Sequence, residues 1–109
     1  MTQFLYKLQA TRPGMLSLGP DPREAAVIDD HTEYVDRLLG GGVVLLYGRA
    51  VGTGDASFGI AIFRADSHEA ARRIVSEDPG VRGGVLRAEL QPFQVTRIGT
   101  IEATQPADG

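Results

Sequence analysis

The stretch 43-VVLLYGRAVGTGDASFGIAIF-63 decides the fold, because it holds two apolar segments joined by a glycine-rich connection. Val43–Tyr47 and Phe58–Phe63 are apolar at odd and even positions alike, which is typical of strands covered on both faces. The connection Val51–Ala56 carries turn-forming residues, so the two segments are predicted to pair as a hairpin. A sheet built on these two strands is therefore expected to be packed against other parts of the structure on both faces.

Two more strands are predicted outside this hairpin. Phe4–Ala10 alternates apolar and polar residues, and a fourth strand is predicted from Val85 to Val95. Between the first strand and the first helix, Thr11–Pro22 holds three prolines and two glycines, which excludes a regular element. Met15 gives this loop an apolar character, so we expect it to pack onto the domain or, alternatively, to form a lid over a ligand.

Helices are predicted after the first and third strands. The first spans Pro22–Leu39, with Asp21 as N-cap, proline at the first helical position and Gly40 beginning its stop signal. The second begins after Asp66 or Ser67, and Asp66 with the glutamate three residues later resembles a capping box. Each helix carries one apolar stripe, so each is expected to cover the sheet with that side.

The order β-α-β-β-α-β predicts the ferredoxin-like α+β sandwich, an antiparallel sheet with both helices on one face. The other face would expose an apolar patch on a single chain, so we expect a homodimer that packs sheet against sheet. The domain is predicted to span residues 1–97. Residues 98–109 form a C-terminal extension, with a short strand from Ile98 and a flexible end at Gln105–Gly109.

Composition limits the function classes. The chain has 109 residues, no cysteine and a net charge of −3, which predicts one cysteine-free domain and a cytoplasmic location. An acidic chain argues against nucleic acid as a partner, and neither a signal peptide nor a membrane-spanning run is expected. The glycines lack the context of a phosphate loop and the two histidines lack metal-ligand spacing, so no cofactor and no metal are predicted.

His31 is the candidate general base. It shares a stripe of the first helix with Val27, Tyr34 and Leu38, so it points toward the core, whereas His68 faces solvent. A histidine in that position either bonds a backbone group as part of the core or takes protons from a ligand.

Asp78 is the candidate partner of His31. It lies four residues after Ile74, so a helical last turn would direct its carboxylate toward the sheet side, where His31 also points. A carboxylate on one ring nitrogen would fix the tautomer and strengthen the other nitrogen as a base. Alternatively, Asp78 is the N-cap of a short turn over Pro79–Arg82.

Further candidates would bind a ligand beside this pair. Arg12 and Arg49 could clamp a carboxylate or phosphate if both turn toward His31, although an arginine alone is more often a surface charge. Met15 and Ser57 complete the predicted ligand-binding set. Two tyrosines, Tyr6 and Tyr47, could add hydroxyls.

Several segments in this order resemble the YCII-related domain family over residues 4–95. They are the helix with His31, Tyr34 and Leu38, the segment Gly42–Gly48, the helix start Asp66–Ala71, the step Glu77-Asp78-Pro79, the Gly84 turn and the ending Gln91-Pro92-Phe93.

The resemblance implies a dimeric α+β barrel, similar in shape to muconolactone isomerases, and it implies that the family's paired His and Asp fall on His31 and Asp78. Dehydrochlorination of a chlorinated hydroxyquinol is one activity of the family. This chain departs from the family pattern at Gly48-Arg49, where many relatives have Gly-Pro, in the longer loop around Arg12–Met15 and in its C-terminal extension. These departures predict a subgroup with its own ligand.

Together these features predict a cofactor-independent enzyme of lyase or isomerase type. Its substrate would be a small anion, aromatic or enol-forming, and His31 with Asp78 would supply acid–base chemistry. The alternative is a non-catalytic ligand-binding or accessory module that uses the same cleft.

Overall fold

The structure is a computed structural model, and it describes residues 2–51 and 54–100, with the side chain of Asp55 left out. Within these ranges, four strands and four helices follow one another, with one 3-10 turn at Gly54–Ala56. Their bounds are β1 (Thr2–Ala10), α1 (Met15–Leu18), α2 (Pro22–Gly40), β2 (Val44–Arg49), β3 (Gly59–Ala65), α3 (His68–Ser76), α4 (Pro79–Arg82) and β4 (Leu86–Pro92).

The four strands form one sheet in the order β2-β3-β1-β4, and every neighbouring pair is antiparallel. This is the strand order of a ferredoxin-like α+β sandwich, so the predicted fold is confirmed. The central strand β1 directs Phe4, Tyr6 and Leu8 toward the helices, and all three are buried. The core between sheet and helices is completed by Val44, Ala61, Phe63, Ala65, Ala71 and Val75.

The second face of the sheet carries no helix in the described part of the chain. Leu5 lies opposite Ile62 in the register of β1 and β3, and Leu46 of β2 lies opposite Ile62 from the other side. With Ile60, these half-buried side chains form a small apolar cluster, which we call the open-face cluster. The described residues therefore do not supply the predicted cover on this face.

Strand β2 is an edge strand with a β-bulge. Val44 pairs with Phe63, but the next pairs are Leu46 with Ile62 and Tyr47 with Ala61, so Leu45 is an extra residue. An extra residue reverses the alternation of side chains beyond it. Tyr47 consequently lies on the same helix-covered face as Val44. Without the bulge, regular alternation would place it on the opposite face.

The long helix α2 begins at a complete capping box. The Asp21 carboxylate accepts a hydrogen bond from the Glu24 backbone N–H at 2.7 Å, and the Glu24 side chain accepts one from the Asp21 N–H at 2.8 Å. Pro22 occupies the first turn, as predicted. The box predicted at the second helix does not form: Ser67 is the N-cap of α3, and its hydroxyl accepts from the Ala70 N–H at 3.0 Å.

Other boundaries differ from the sequence prediction. The loop from Thr11 contains one helical turn, α1, which begins after Gly14 at φ 86°, a conformation that favours glycine. Strand β4 ends at Pro92, which lacks the N–H needed to continue the ladder, and residues 98–100 are not in a strand. The predicted flexible end at Gln105–Gly109 lies outside the described residues, as do Gly52 and Thr53 of the connection. Within the described ranges, no helix is long and apolar enough to cross a membrane.

Candidate active site

The centre of the candidate site is the carboxylate of Asp78, whose side chain is fully buried. Its oxygen Oδ1 accepts a hydrogen bond from the backbone N–H of Gly80 at 2.8 Å, which makes Asp78 the N-cap of α4. The phenol of Tyr6 donates to Oδ2 at 3.0 Å. A buried carboxylate needs such donors, because an unpaired charge in the interior is costly.

His31 meets this carboxylate from the adjacent helix α2. Its Nδ1 lies 2.8 Å from Oδ1 and 2.8 Å from Oδ2 of Asp78, and the residue is 4% exposed. An ionised carboxylate only accepts hydrogen bonds, so the contact assigns a proton to Nδ1, and in the neutral imidazole the lone pair then lies on Nε2. The geometry therefore gives His31 the tautomer that acts as a base through Nε2.

Asp78 is the N-cap of the short turn, the second of the two alternatives, and it still meets His31. The residue caps the short helix α4, and its backbone is extended, at φ −61° and ψ 123°. The condition of a helical last turn is not met, since α3 ends at Ser76 and the proline that follows Asp78 disfavours a helical conformation there. The carboxylate nevertheless reaches His31 because α4, which it caps, packs against α2. Gly80 permits this approach: a Cβ there would lie 3.3 Å from the His31 Cβ and 2.7 Å from a terminal methyl of Leu86.

The second ring nitrogen of His31 faces Tyr47. Nε2 lies 2.9 Å from the phenol oxygen, and the two rings are 5.8 Å apart between centroids. Asp78, His31 and Tyr47 therefore form a continuous hydrogen-bonded chain from the buried carboxylate to the surface of the pocket. Tyr6 joins the chain at its buried end.

A pocket of about 400 Å³ opens at the Tyr47 end of these hydrogen-bonded residues. His31 and Tyr47 lie in its wall, and much of the remaining lining is apolar, with Met15 and Leu16 of α1 on one side. Further apolar wall residues are Leu8, Ala10, Pro20, Ile28, Phe58 and Leu86. A pocket of this size suits a molecule of about one ring, since drug-sized sites occupy roughly 300–1,000 Å³.

Most of the predicted ligand-binding residues lie in this lining, namely Met15, Arg49 and Ser57. Among the described residues, no carboxylate forms an ion pair with Arg49, which leaves a positive charge at the pocket. Ser57 lines the wall, but its hydroxyl donates to the backbone oxygen of Ala50 at 2.6 Å.

The predicted clamp of two arginines does not form. The Arg12 guanidinium lies outside the pocket lining and donates to both Glu24 carboxylate oxygens, at 2.8 and 2.7 Å, and to the Gly19 backbone oxygen at 3.0 Å. The physical reason is the buried carboxylate of Glu24 at the start of α2, which binds the Arg12 guanidinium through two charge-assisted hydrogen bonds. This contact lowers the pKa of Glu24 to about 2, with help from the Asp21 backbone N–H.

Tyr47 is the functional candidate to which the sequence analysis gave least support. Regular alternation from the buried Val44 would have turned its ring away from His31, and the bulge at Leu45 reverses that direction. An apolar run of five residues gives no signal for a bulge. The available signal was chemical: Tyr47, the last residue of that run, is the one that carries a hydroxyl group.

The tyrosine phenols beside Asp78 are held in their protonated form. Burial is the largest cause of the raised pKa of Tyr6, and the negative charge on Asp78 adds to it. Burial and then the Asp78 charge also raise the pKa of Tyr47, while Arg49 acts in the opposite direction. Both phenols therefore remain hydrogen-bond donors across the neutral range. In the part of the chain that the structure describes, no three His, Cys, Asp or Glu side chains cluster as metal ligands would.

Two solved structures resemble this fold over most of their length. The 5-chloro-2-hydroxyhydroquinone dehydrochlorinase from Burkholderia phenoliruptrix, solved in complex with 2,5-dihydroxybenzoquinone, is 20% identical with a TM-score of 0.64, and the match covers 84% of this chain and 93% of that chain. A muconolactone isomerase is 19% identical with a TM-score of 0.65, and the match covers 92% of this chain and 98% of that chain. At these identities the likeness shows the fold alone. No curated protein sequence matches the chain.

Family membership rests on the sequence match. The model of the YCII-related domain covers residues 5–94, which includes every strand of the sheet but the first residues of β1 and spans both His31 and Asp78. That range agrees with the resemblance inferred from the order of the segments. The chain belongs to the YCII-related domain family.

Proposed function

We propose that the protein is a cofactor-independent enzyme that removes a proton from a small anionic molecule, aromatic or enol-forming, in an isomerisation or elimination. The observation that carries this proposal is the buried Asp78–His31 pair, which lies in the wall of a pocket and whose second ring nitrogen contacts the Tyr47 phenol there. A base in hydrogen-bond reach of the site, oriented by a carboxylate, is the arrangement that acid–base catalysis needs.

Each member of the pair has a distinct role in this proposal. Asp78 fixes the tautomer of His31 and stabilises the imidazolium that forms when Nε2 takes a proton, as carboxylates do in acid–base dyads. The Gly80 N–H and the Tyr6 phenol hold the carboxylate itself in place. The positioning network is thus buried, and only its last members reach the pocket.

The pocket indicates the class of substrate. Apolar side chains line much of the wall, which suits a flat ring or a conjugated chain, and Arg49 offers a charge for one carboxylate or enolate oxygen. By their names, the dehydrochlorinase acts on 5-chloro-2-hydroxyhydroquinone and the isomerase on muconolactone, which are small molecules, as the proposal expects. Their low identity gives no reason to transfer either substrate to this chain.

A second candidate function is ligand binding without catalysis. The hydrogen bond between His31 Nε2 and Tyr47 favours it, because it leaves both ring nitrogens satisfied, as in a structural histidine. The two functions differ in one measurable property, which is proton exchange at a carbon of the bound molecule.

Deuterium exchange at C3 of phenylpyruvate tests the choice. Phenylpyruvate is an aromatic, enol-forming anion, and NMR in D₂O reports the removal of its C3 proton without further chemistry. We expect the wild-type protein to accelerate exchange and His31→Gln to lower that rate by about 100-fold or more, the usual range for general acid–base groups. His68→Gln, at an exposed histidine, is the matched control and should exchange like wild type.

Two results would decide against the enzyme. Phenylpyruvate that binds, seen as a rise in melting temperature, yet exchanges at the buffer rate would favour the binding module. Exchange that survives unchanged in folded His31→Gln would remove the base from the mechanism.

We also infer that two copies pair through the open face of the sheet. The open-face cluster around Ile62 is flanked by polar residues of β1 and β4 such as Lys7 and Glu89, which lie opposite each other in the register. Apolar centre and polar rim are the usual composition of an interface. Ile62→Glu should shift the mass in analytical ultracentrifugation from dimer to monomer, while Leu39→Glu on the helix layer should not. A wild-type monomer would refute this inference.

The cytoplasmic location remains a prediction from composition.

A further inference from the structure

We propose that Tyr47, rather than His31, touches the substrate, and that its phenol oxygen takes the substrate proton while its own proton passes to His31 Nε2. This inference rests on the proposed function and adds a catalytic residue to it. The relay would run from the substrate through Tyr47 and His31 to the carboxylate of Asp78.

Exposure supports Tyr47 as the contact residue. His31 is 4% exposed, whereas Tyr47 is 41% exposed, and its hydroxyl lies 2.9 Å from Nε2. A molecule that approached the lone pair of Nε2 would therefore have to displace the phenol. A molecule that accepts the phenol as its partner needs no such rearrangement.

The directions of the hydrogen bonds also support the relay. In the neutral imidazole, Asp78 accepts from Nδ1–H, so Nε2 is an acceptor and the Tyr47 hydroxyl donates to it. With its hydrogen directed at His31, the Tyr47 oxygen presents its lone pairs to the pocket. The pocket thus meets an acceptor of protons, which is the polarity that abstraction requires.

The proton transfer balances over three groups. The substrate C–H or O–H bond breaks and its electron pair remains on the substrate as an enolate or phenolate. Its proton forms a bond to the Tyr47 oxygen as the Tyr47 O–H bond breaks, and that second proton forms the Nε2–H bond of an imidazolium. Asp78 stays ionised and pairs with the new positive charge, and reversal of the same steps returns a proton to a different atom of the substrate in an isomerisation.

The ionisation of Tyr47 fits a relay and not a phenolate base. Burial and the Asp78 charge raise the pKa of its phenol, so it keeps the proton that it has to hand on. Arg49, two residues along the strand, opposes this shift and lies in the same pocket lining, where it can hold the anion that forms.

Of the two other tyrosines, neither can serve as the contact, and Tyr34 provides the control. Tyr6 is fully buried and donates to Asp78, at the end of the relay farthest from the pocket. Tyr34 donates to the backbone oxygen of Ile74 at 2.6 Å and lies outside the pocket lining. Tyr34→Phe therefore removes a phenol oxygen of the same kind without touching the relay.

The experiment compares C3 exchange of phenylpyruvate in wild type, Tyr47→Phe, His31→Gln and Tyr34→Phe. We expect Tyr47→Phe to lower the exchange rate by about 100-fold or more, close to His31→Gln, and Tyr34→Phe to stay near wild type. Nitrogen-15 NMR of labelled histidine supplies an independent readout, since loss of the phenol should move the His31 Nε2 signal and leave His68 unchanged. Melting temperature checks that the exposed substitution at position 47 leaves the fold intact.

The outcomes separate the relay from the enzyme proposal. If Tyr47→Phe exchanges as fast as wild type while His31→Gln does not, the relay is wrong and His31 acts directly. An Nε2 signal that is identical in wild type and Tyr47→Phe would also overturn the relay, because the hydrogen bond would be absent. If the wild-type protein exchanges no faster than buffer, the enzyme proposal and the relay both fail.

Discussion

The chain contains two Asp-Pro helix starts, Asp21-Pro22 and Asp78-Pro79, and they serve different purposes. Both aspartates are extended N-caps that accept a hydrogen bond from a backbone N–H, and both prolines lie in the first turn. Asp21 is exposed and caps a helix of 19 residues, whereas Asp78 is fully buried and caps one of four residues. The same dipeptide therefore supports a long helix in one place and a polar centre in the other.

The difference lies in what else each carboxylate holds. At Asp21, the cap is closed by Glu24, and the cation Arg12 bonds Glu24 and not the capping residue. At Asp78, the capping carboxylate itself binds His31 and Tyr6. At the first helix start the ion pair lies on Glu24 and not on the N-cap carboxylate, whereas Asp78 combines the N-cap and the contact with His31 in one buried carboxylate, where chemistry can use its charge.

Substitution of the two aspartates should give the largest difference. Asp78→Ala removes the partner of His31, Tyr6 and Gly80 at once in a dry interior, so we expect a loss of about 3–5 kcal/mol in the free energy of unfolding. Asp21→Ala removes one exposed cap and should cost about 1 kcal/mol. Urea denaturation of both variants measures the contrast. Equal losses would mean that the buried carboxylate does no more than cap its helix.

Removal of the Tyr6 phenol should have an intermediate effect. Tyr6→Phe deletes a hydrogen bond to a buried charge while the ring still fills the core, and such bonds contribute about 1.5–3 kcal/mol. Tyr34→Phe, which deletes a bond to a neutral backbone oxygen, should cost less, about 0.5–1.5 kcal/mol. Urea denaturation again provides the measurement, and a Tyr6→Phe variant as stable as wild type would show that Asp78 does not need this donor.

The smallest effect is expected at Glu24 and should depend on pH. Its pKa falls from 4.5 to about 2 on folding, so its contribution to stability is complete above pH 4.5 and is lost as the pH falls toward 2. Glu24→Gln should therefore lower the urea midpoint at pH 7, and the gap to wild type should close on acidification.

Glu33→Gln, at an exposed position of the same helix, is the matched control for this series. Its urea midpoint should stay close to wild type at every pH. A gap for Glu24→Gln that is the same at pH 7 and at pH 2 would mean that Arg12 stabilises the loop by packing and not by charge.

Local patterns predicted the elements well because each depends on neighbours in the chain. The alternation in β1 and the Pro22 signal of α2 depend on residues a few positions apart, and both elements formed where expected. The burial of His31 followed from the same helical spacing. What a single residue meets across the fold was harder to predict.

Arg12 and Asp78 illustrate that limit. The direction of Arg12 is decided by Glu24, whose buried carboxylate results from its own place in the capping box, and no spacing between the two residues indicates this. Asp78 reaches His31 through the orientation of α4 on α2, so the meeting was predicted but its cause was not. Contacts of this kind depend on how elements pack, which a linear pattern does not contain.

The β-bulge at Leu45 makes the side chain that faces His31 depend on a backbone irregularity as well as on the residue types of β2. Deletion of that one leucine would remove the bulge, and because Leu46 would then follow Val44 directly, regular alternation would keep the Tyr47 phenol facing the imidazole. Insertion of one residue after Val44 with the bulge retained would instead turn the phenol outward and bring Leu46 to the helix-covered face. A single insertion in this short segment can thus exchange the chemical character of the pocket, while the core beneath it stays the same.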